Sequence, residues 1–174
     1  MKDLKMEPKY ISLYMDIAER ISQMSHANRL QVGSVIVKEN TILSYGWNGM
    51  PAGWPNICEY KEYKKPYWTG IDPMTLTPCD ELYPLEDEEG RYRWVTKPET
   101  LHAEMNALMK VAQSTESSTG ATLFCTHAPC IDCAKAIYQA GISTLYYREE
   151  YRSTSGTQFL KISGVNVYQY TNCV

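Results

Sequence analysis

His102-Ala103-Glu104 and, further along, Pro129-Cys130-Ile131-Asp132-Cys133 hold the residue types in this chain that can do chemistry together. One histidine and two cysteines can supply three protein ligands to a zinc ion and leave its fourth position open for water. Two thiolates offset the formal charge of the metal, so a water held there is less acidified than in an all-histidine site. A nearby base is then needed, and Glu104 is suited to move protons rather than to bind metal. A closed zinc ribbon would need four ligands at paired spacing, and the chain has no second Cys-x-x-Cys.

The elements that must present these groups can be read from their neighbours. Pro129 suits the first position of a helix, which would run through Ala134, Ile137 and Ala140 to a left-handed stop at Gly141. Cys130 and Cys133, three apart, would share one face of its first turn, where the helix dipole favours thiolates. His102 opens a second helix with Met105, Leu108, Met109 and Ala112 as its apolar stripe. Residues two apart do not share a helix face. His102 and Glu104 can therefore converge only off that helix's N-terminal end, and two helix starts should aim at one metal.

Around them, Tyr10, Tyr14, Ile17, Ile21 and Met24 repeat as an amphipathic helix. Residues 31–37 and 41–47 read as a hairpin around Glu39-Asn40, and 121–126, 144–147 and 165–170 read as strands. Ser155 and Gln158 suggest a capping box for a helix ending at Gly164. Alternating strands and helices imply an α/β fold, with a mixed or partly parallel sheet covered by helices on both faces.

The 174 residues read as a single domain spanning 1–174, long enough to bury roughly 70% of the unfolded surface. No apolar run approaches a membrane span, and Met1-Lys2-Asp3-Leu4-Lys5 lacks a signal-peptide core. Six cysteines, two of them committed to zinc, suit a reducing, cytoplasmic setting better than a disulfide scaffold. A net charge of −3 argues against a polynucleotide partner, which demands a basic surface. An insertion at about 54–99 is rich in proline and aromatics, including Trp54, Tyr60, Tyr63, Tyr67, Trp68, Tyr83, Tyr92 and Trp94. It far exceeds the ~15 residues of an ordinary loop, and its aromatics favour packing over disorder. The run Glu86-Asp87-Glu88-Glu89 reads as a solvated tip.

The order His-x-Glu, then Pro-Cys-x-x-Cys, is the signature of zinc deaminases acting on nucleobases. Three more blocks narrow it: Gln31-Val32-Gly33-Ser34-Val35-Ile36-Val37, Gly46-Trp47-Asn48-Gly49-Met50-Pro51-Ala52-Gly53, and the extension of the cysteine motif through Ala134-Lys135-Ala136-Ile137. With these the chain resembles the deoxycytidylate (dCMP) deaminases of the cytidine deaminase-like superfamily, with Trp47 standing where that block usually has tyrosine. The resemblance implies a three-layer α/β/α sandwich with about five strands. It also implies hydrolysis of dCMP to dUMP, the precursor for thymidylate synthesis, with dCTP open as a further substrate. Glu104 is implied as the proton carrier and His102, Cys130 and Cys133 as the zinc ligands.

Asn48 matches the asparagine that meets the sugar hydroxyl, the reading preferred here over a role in an Asn-Gly turn. Val32 would wall the base pocket or simply fill the core, and Ala103 lies in the substrate-contacting motif. Tyr151, Arg29 and Asn28 match positions near the substrate phosphate. The resemblance further implies a homo-oligomer, typically a hexamer, activated by dCTP and inhibited by dTTP, with Gly49, Met50, Pro51 and Gly53 in the effector region. A second, structural zinc on His26, Cys58 and Cys79 is suggested by members with similar insertions. The histidines those members place ahead of the catalytic one are missing here, since Tyr92 and Thr96 stand nearby. The other reading of the three is a lone polar histidine and two reduced cysteines. Two rival functions stay open: a polynucleotide (tRNA adenosine or cytidine) deaminase, which should show a basic face, and a non-catalytic zinc scaffold, which would not need Glu104.

Overall fold

The computed structural model describes residues 6–171 apart from 69 and 73. The five N-terminal residues read above as lacking a leader core lie outside that range. In chain order the elements are α1 (Pro8–Ser22), β1 (Gly33–Lys38), β2 (Thr41–Trp47), β3 (Glu59–Tyr63), α2 (Cys79–Leu82), β4 (Leu85–Asp87), β5 (Gly90–Thr96), α3 (Ala103–Ala112), β6 (Thr122–His127), α4 (Ile131–Gln139), β7 (Thr144–Glu149), α5 (Ser155–Ile162) and β8 (Asn166–Gln169).

Strand β1 shows how the layers arise. Val35 and Val37 project into an apolar cluster with Ile11, Tyr14, Met15 and Ala18 of α1, while Ile36, between them, projects into a cluster formed with α3, α4 and α5. The period-two alternation of a strand thus places one helix on one face of the sheet and three on the other. The sheet runs β2-β1-β6-β7-β8. Strand β1 is antiparallel to β2 and β6, and β6, β7 and β8 are parallel, joined by the crossover helices α4 and α5. This is the mixed five-stranded α/β/α sandwich expected of a cytidine deaminase-like fold. Glu39 (φ 50°) and Asn40 (φ 59°) close the β1–β2 hairpin with two left-handed residues, as a two-residue turn between twisted strands requires.

The α1 stripe holds for Tyr10, Tyr14, Ile17 and Ile21 but not for Met24, and the α3 stripe is rotated from the sequence reading. Helix α1 ends at Ser22, so Met24 lies past it and is exposed, and Ile11, Met15 and Ala18 join Tyr14 in the core. In α3 the buried face is Ala103, Glu104, Ala107, Leu108 and Val111, while Met109 is exposed. The cause is a close approach. A Cβ at Gly46 would fall 2.3 Å from the Ala103 carbonyl oxygen and 2.6 Å from the Ala107 nitrogen. The Ser34 and Ser44 hydroxyls donate to the Ala103 and Ala107 carbonyls, each at 2.8 Å. Small residues let α3 lie almost on the β1–β2 backbone, which turns Glu104 inward. Gly46→Ala should therefore push the helix off its seat, costing about 1–3 kcal/mol as overpacking does. It should also lower turnover through Glu104. Thermal unfolding and initial rates check this, and wild-type values for both would refute it.

The insertion folds as its own antiparallel sheet in the order β3-β5-β4. Its aromatics pack in a row, Tyr63 tilted against Tyr92 at 5.7 Å and Tyr92 edge-on to Trp94 at 5.6 Å, with the Lys61 ammonium 4.5 Å above the Tyr92 ring. The acidic run is only partly a solvated tip. Asp87 pairs with Lys61 and accepts the Tyr63 hydroxyl at 3.0 Å, and Glu88-Glu89 make the turn into β5.

Candidate active site

The parallel strands β6 and β7 end on the same side of the sheet, and the chain leaving β6 runs straight into the cysteine motif. Cys130 is the residue that caps α4, in an extended conformation (φ −68°, ψ 169°), and its Sγ accepts the Cys133 N–H at 3.5 Å. Pro129 therefore stands before the cap, not at the first helical position. Helix α5 bears on this stretch: a Cβ at Gly156 would lie 2.1 Å from the Pro129 carbonyl oxygen. The cap of α5 is Thr154 rather than Ser155, and Gln158 Nε2 reaches back to Thr154 Oγ1 at 3.2 Å. The expected box does not form, because the Thr154 side chain caps no backbone N–H and its bond to Gln158 runs between side chains four residues apart. His102 caps α3 in the same extended manner (φ −73°, ψ 155°). Two helix starts do meet at one point.

His102 Nδ1 lies 3.5 Å from Cys130 Sγ and 3.4 Å from Cys133 Sγ, and the three ligand atoms sit within 4.8 Å of one another. Tetrahedral zinc with ordinary Zn–S and Zn–N lengths separates such atoms by about 3.6 Å, so the donor set fits that ion. The hydrogen bond with Cys133, and then that with His102, pull the Cys130 thiol down to about 4. The hydrogen bond with Cys130 pushes the Cys133 thiol upward, and burial adds to this. His102 is held above its usual range, chiefly by its contact with Cys130. Glu104 is 4% exposed, and burial raises its carboxyl, opposed by its own backbone N–H and by His102. A carboxyl lifted in this way holds a proton more readily than an exposed one, as a group that takes and returns protons must.

These groups open on a cavity of about 590 Å³. Val32, Asn48, Ala103, Tyr151 and Arg29 line it as the sequence suggested; Asn28 does not, nor do Gly49, Met50, Pro51 and Gly53. The Asn48 side chain is already engaged: its Oδ1 accepts the Val32 N–H and its Nδ2 donates to the Leu30 carbonyl, each at 2.8 Å. It braces the segment ahead of β1 and keeps one lone pair and one N–H to offer. Further lining comes from residues the sequence reading passed over: Glu59, Thr96, His127, Arg152 and Ser153. Thr96 and Glu59 come from the insertion, where only long-range pairing could have placed them. Arg152, next to Tyr151, was within reach of the same motif.

The proposed second zinc does not assemble. Among the described residues, only His102, Cys130 and Cys133 bring three such ligand atoms together. His26 is exposed. Cys58 is buried against Asn56, its Sγ 3.8 Å from Oδ1, and Cys79 is buried at the start of α2. Hydrogen bonds donated by Asn28 and Arg29 to Glu59 and Thr96 tie the insertion to the loop ahead of β1 instead.

A family model for the cytidine and deoxycytidylate deaminase zinc-binding region matches residues 8–149. The chain belongs to that family. The deaminase is 34% identical over 170 residues to the deoxycytidylate deaminase of Enterobacteria phage T4, covering 90% of this chain and 88% of the phage protein. Among solved structures, it is similar to the dCMP deaminase of the cyanophage S-TIM5 in complex with dCMP and dUMP. The identity there is 41% and the TM-score 0.74, covering 95% of this chain and 100% of that one. The apo form of that protein gives 38% and 0.71 with the same coverage. Among the described residues, no helix of the deaminase is long and apolar enough to cross a membrane.

Proposed function

We propose that this chain hydrolyses dCMP to dUMP and ammonia. One observation carries the reading. A single cavity joins the buried Glu104 and two of the metal ligands, His102 and Cys130, to two guanidiniums, Arg29 and Arg152, that form no ion pair among the described residues. An acidic chain that leaves two free cations at its pocket suits a small anionic substrate, and the cyanophage relative with dCMP and dUMP bound supports the same choice.

Zinc bound by His102, Cys130 and Cys133 supplies a Lewis acid that acidifies and orients one water. Glu104 takes a proton from that water and places it on N3 of the cytosine ring. C4 becomes electrophilic, and the water oxygen adds to it. The remaining hydroxyl proton travels through Glu104 to the exocyclic nitrogen. The C4–N4 bond then breaks, ammonia leaves and a carbonyl remains at C4. Val32 and Ala103 wall the base, and the spare donor and acceptor of Asn48 meet the sugar hydroxyl. Arg29, Tyr151 and Arg152 meet the phosphate. Asn28 contributes through its bonds to Glu59 rather than by contact.

The reading extends to a cytoplasmic homo-oligomer, a hexamer, regulated by dCTP and dTTP, with no polynucleotide substrate. Gly49 N–H donates to the Leu101 carbonyl at 3.1 Å and Leu101 N–H returns to Gly49 at 2.8 Å. The loop of Gly49, Met50, Pro51 and Gly53 is thus joined to the residue preceding His102, a short path from effector to metal ligand. Ultraviolet assays of purified protein on dCMP, dCTP, deoxycytidine and CMP test the whole. The kcat/KM for dCMP should exceed that for deoxycytidine by about 100-fold, the scale of charge-assisted phosphate contacts. Equal values would remove the phosphate site. Sigmoidal dCMP kinetics made hyperbolic by dCTP support the regulated oligomer, whereas hyperbolic kinetics indifferent to both effectors remove it.

A further inference from the structure

Glu59 is a buried carboxylate, 3% exposed, at the first position of β3. Burying a charge costs several kcal/mol unless hydrogen bonds replace its water. Here the replacement comes from one short stretch of loop. Glu59 Oε2 accepts the Asn28 backbone N–H at 2.8 Å and Asn28 Nδ2 at 3.1 Å, and Oε1 accepts the Arg29 backbone N–H at 3.2 Å. Thr96 lies directly opposite Glu59 in the β3–β5 ladder, and its hydroxyl accepts from Arg29 Nη1 at 3.2 Å. The first residue of β3 and the last of β5 thus hold the same arginine, one by its backbone and one by its guanidinium. Residues 24–32, between α1 and β1, belong to no helix or strand, so the loop has no regular hydrogen bonding to fix Arg29 by itself.

We infer that Glu59 is a positioning residue for substrate recognition: it sets the loop that carries Arg29, so that the inserted sheet takes part in reading the substrate phosphate. This rests on the proposed action on dCMP. Glu59 touches no reacting atom and acts through Arg29 alone. Its loss should weaken binding of the phosphorylated substrate and leave the chemical step intact.

The test is a double-mutant cycle of Glu59→Gln and Arg29→Ala, assayed on dCMP and on deoxycytidine, with a thermal melt of each protein. Glutamine keeps the shape but has one oxygen acceptor where the carboxylate has two. Glu59→Gln should raise KM for dCMP about tenfold, the scale of one charged hydrogen bond. The kcat should stay within about twofold, because groups acting only in binding leave it unchanged. Glu59→Asp should fall between Gln and the parent. In the Arg29→Ala background, Glu59→Gln should add nothing, and Glu59→Gln alone should not lower kcat/KM on deoxycytidine as it does on dCMP. Equal losses on both substrates, or full additivity with Arg29→Ala, would mean that Glu59 only supports the fold and would overturn the inference. Should Glu59→Gln fail to fold, Glu59→Asp and Thr96→Val carry the same cycle. A parent protein that does not distinguish dCMP from deoxycytidine would overturn the substrate reading as well. A parent that does distinguish them, with an unaltered Glu59→Gln, would overturn this inference alone.

Discussion

Glu104→Ala should leave the protein folded and metal-loaded while turnover of dCMP falls about 10⁴-fold. That is the upper end of what one general acid–base group contributes. The expected loss is large because, in the proposed mechanism, a single carboxyl carries every proton: from water to the ring, and from the new hydroxyl to the departing amine. Two thiolate ligands leave the water too weakly acidic to dispense with it. The side chain is buried beside Ala103 on the closely seated face of α3, and alanine is the best helix former, so little structural loss is expected. Zinc content by atomic absorption, read alongside turnover, is the deciding pair of measurements. Near-normal turnover at full zinc occupancy would sink the role assigned to Glu104.

Cys133→Ala should abolish activity by a different route. Cys133 is 2% exposed on the inner face of α4, and its Sγ is 3.4 Å from His102 Nδ1. With one of three ligands gone, zinc should fall from one per chain to a trace after dialysis against a chelator. Loss of rate would then follow loss of metal, whereas in the Glu104 variant the two part company. Stability should fall as well, since a metal that binds the folded state alone adds its binding free energy to folding. A Cys133→Ala protein that keeps stoichiometric zinc would show that the ion is held elsewhere.

The chemistry was legible in the sequence because it lies in short range: a residue and its second neighbour, a pair three apart, each at a helix start. The β1–β2 hairpin was legible for the same reason, with Glu39-Asn40 as its turn. Long-range contacts decided what was missed. Helix α3 turns Ala103 and Ala107 inward because Gly46, far away in sequence, permits the approach, and no periodicity within the helix announces that. The insertion looked like a loop because β3 and β5 find each other across more than twenty intervening residues. Glu59 gave no signal of its own as a lone acidic residue in a polar stretch. The second zinc was suggested by members with similar insertions, and among the described residues the fold does not gather His26, Cys58 and Cys79. Pro129 and Ser155 each missed their helix by a step, the ordinary scatter of helix ends read from sequence.

Because Glu59 and Thr96 face each other across an antiparallel pair, everything between them departs from and returns to one spot, about 5 Å wide. Such a segment behaves as a cassette. It can lengthen, shorten or be exchanged for a tight turn without moving any strand of the main sheet, and doubling its length costs only about 0.6 kcal/mol of closure entropy. The two residues that grip Arg29 stay behind at its root. Variation in this part of the chain can therefore remodel the rim of the pocket, and with it the choice of ligand, while the metal ligands and the proton carrier are inherited unchanged.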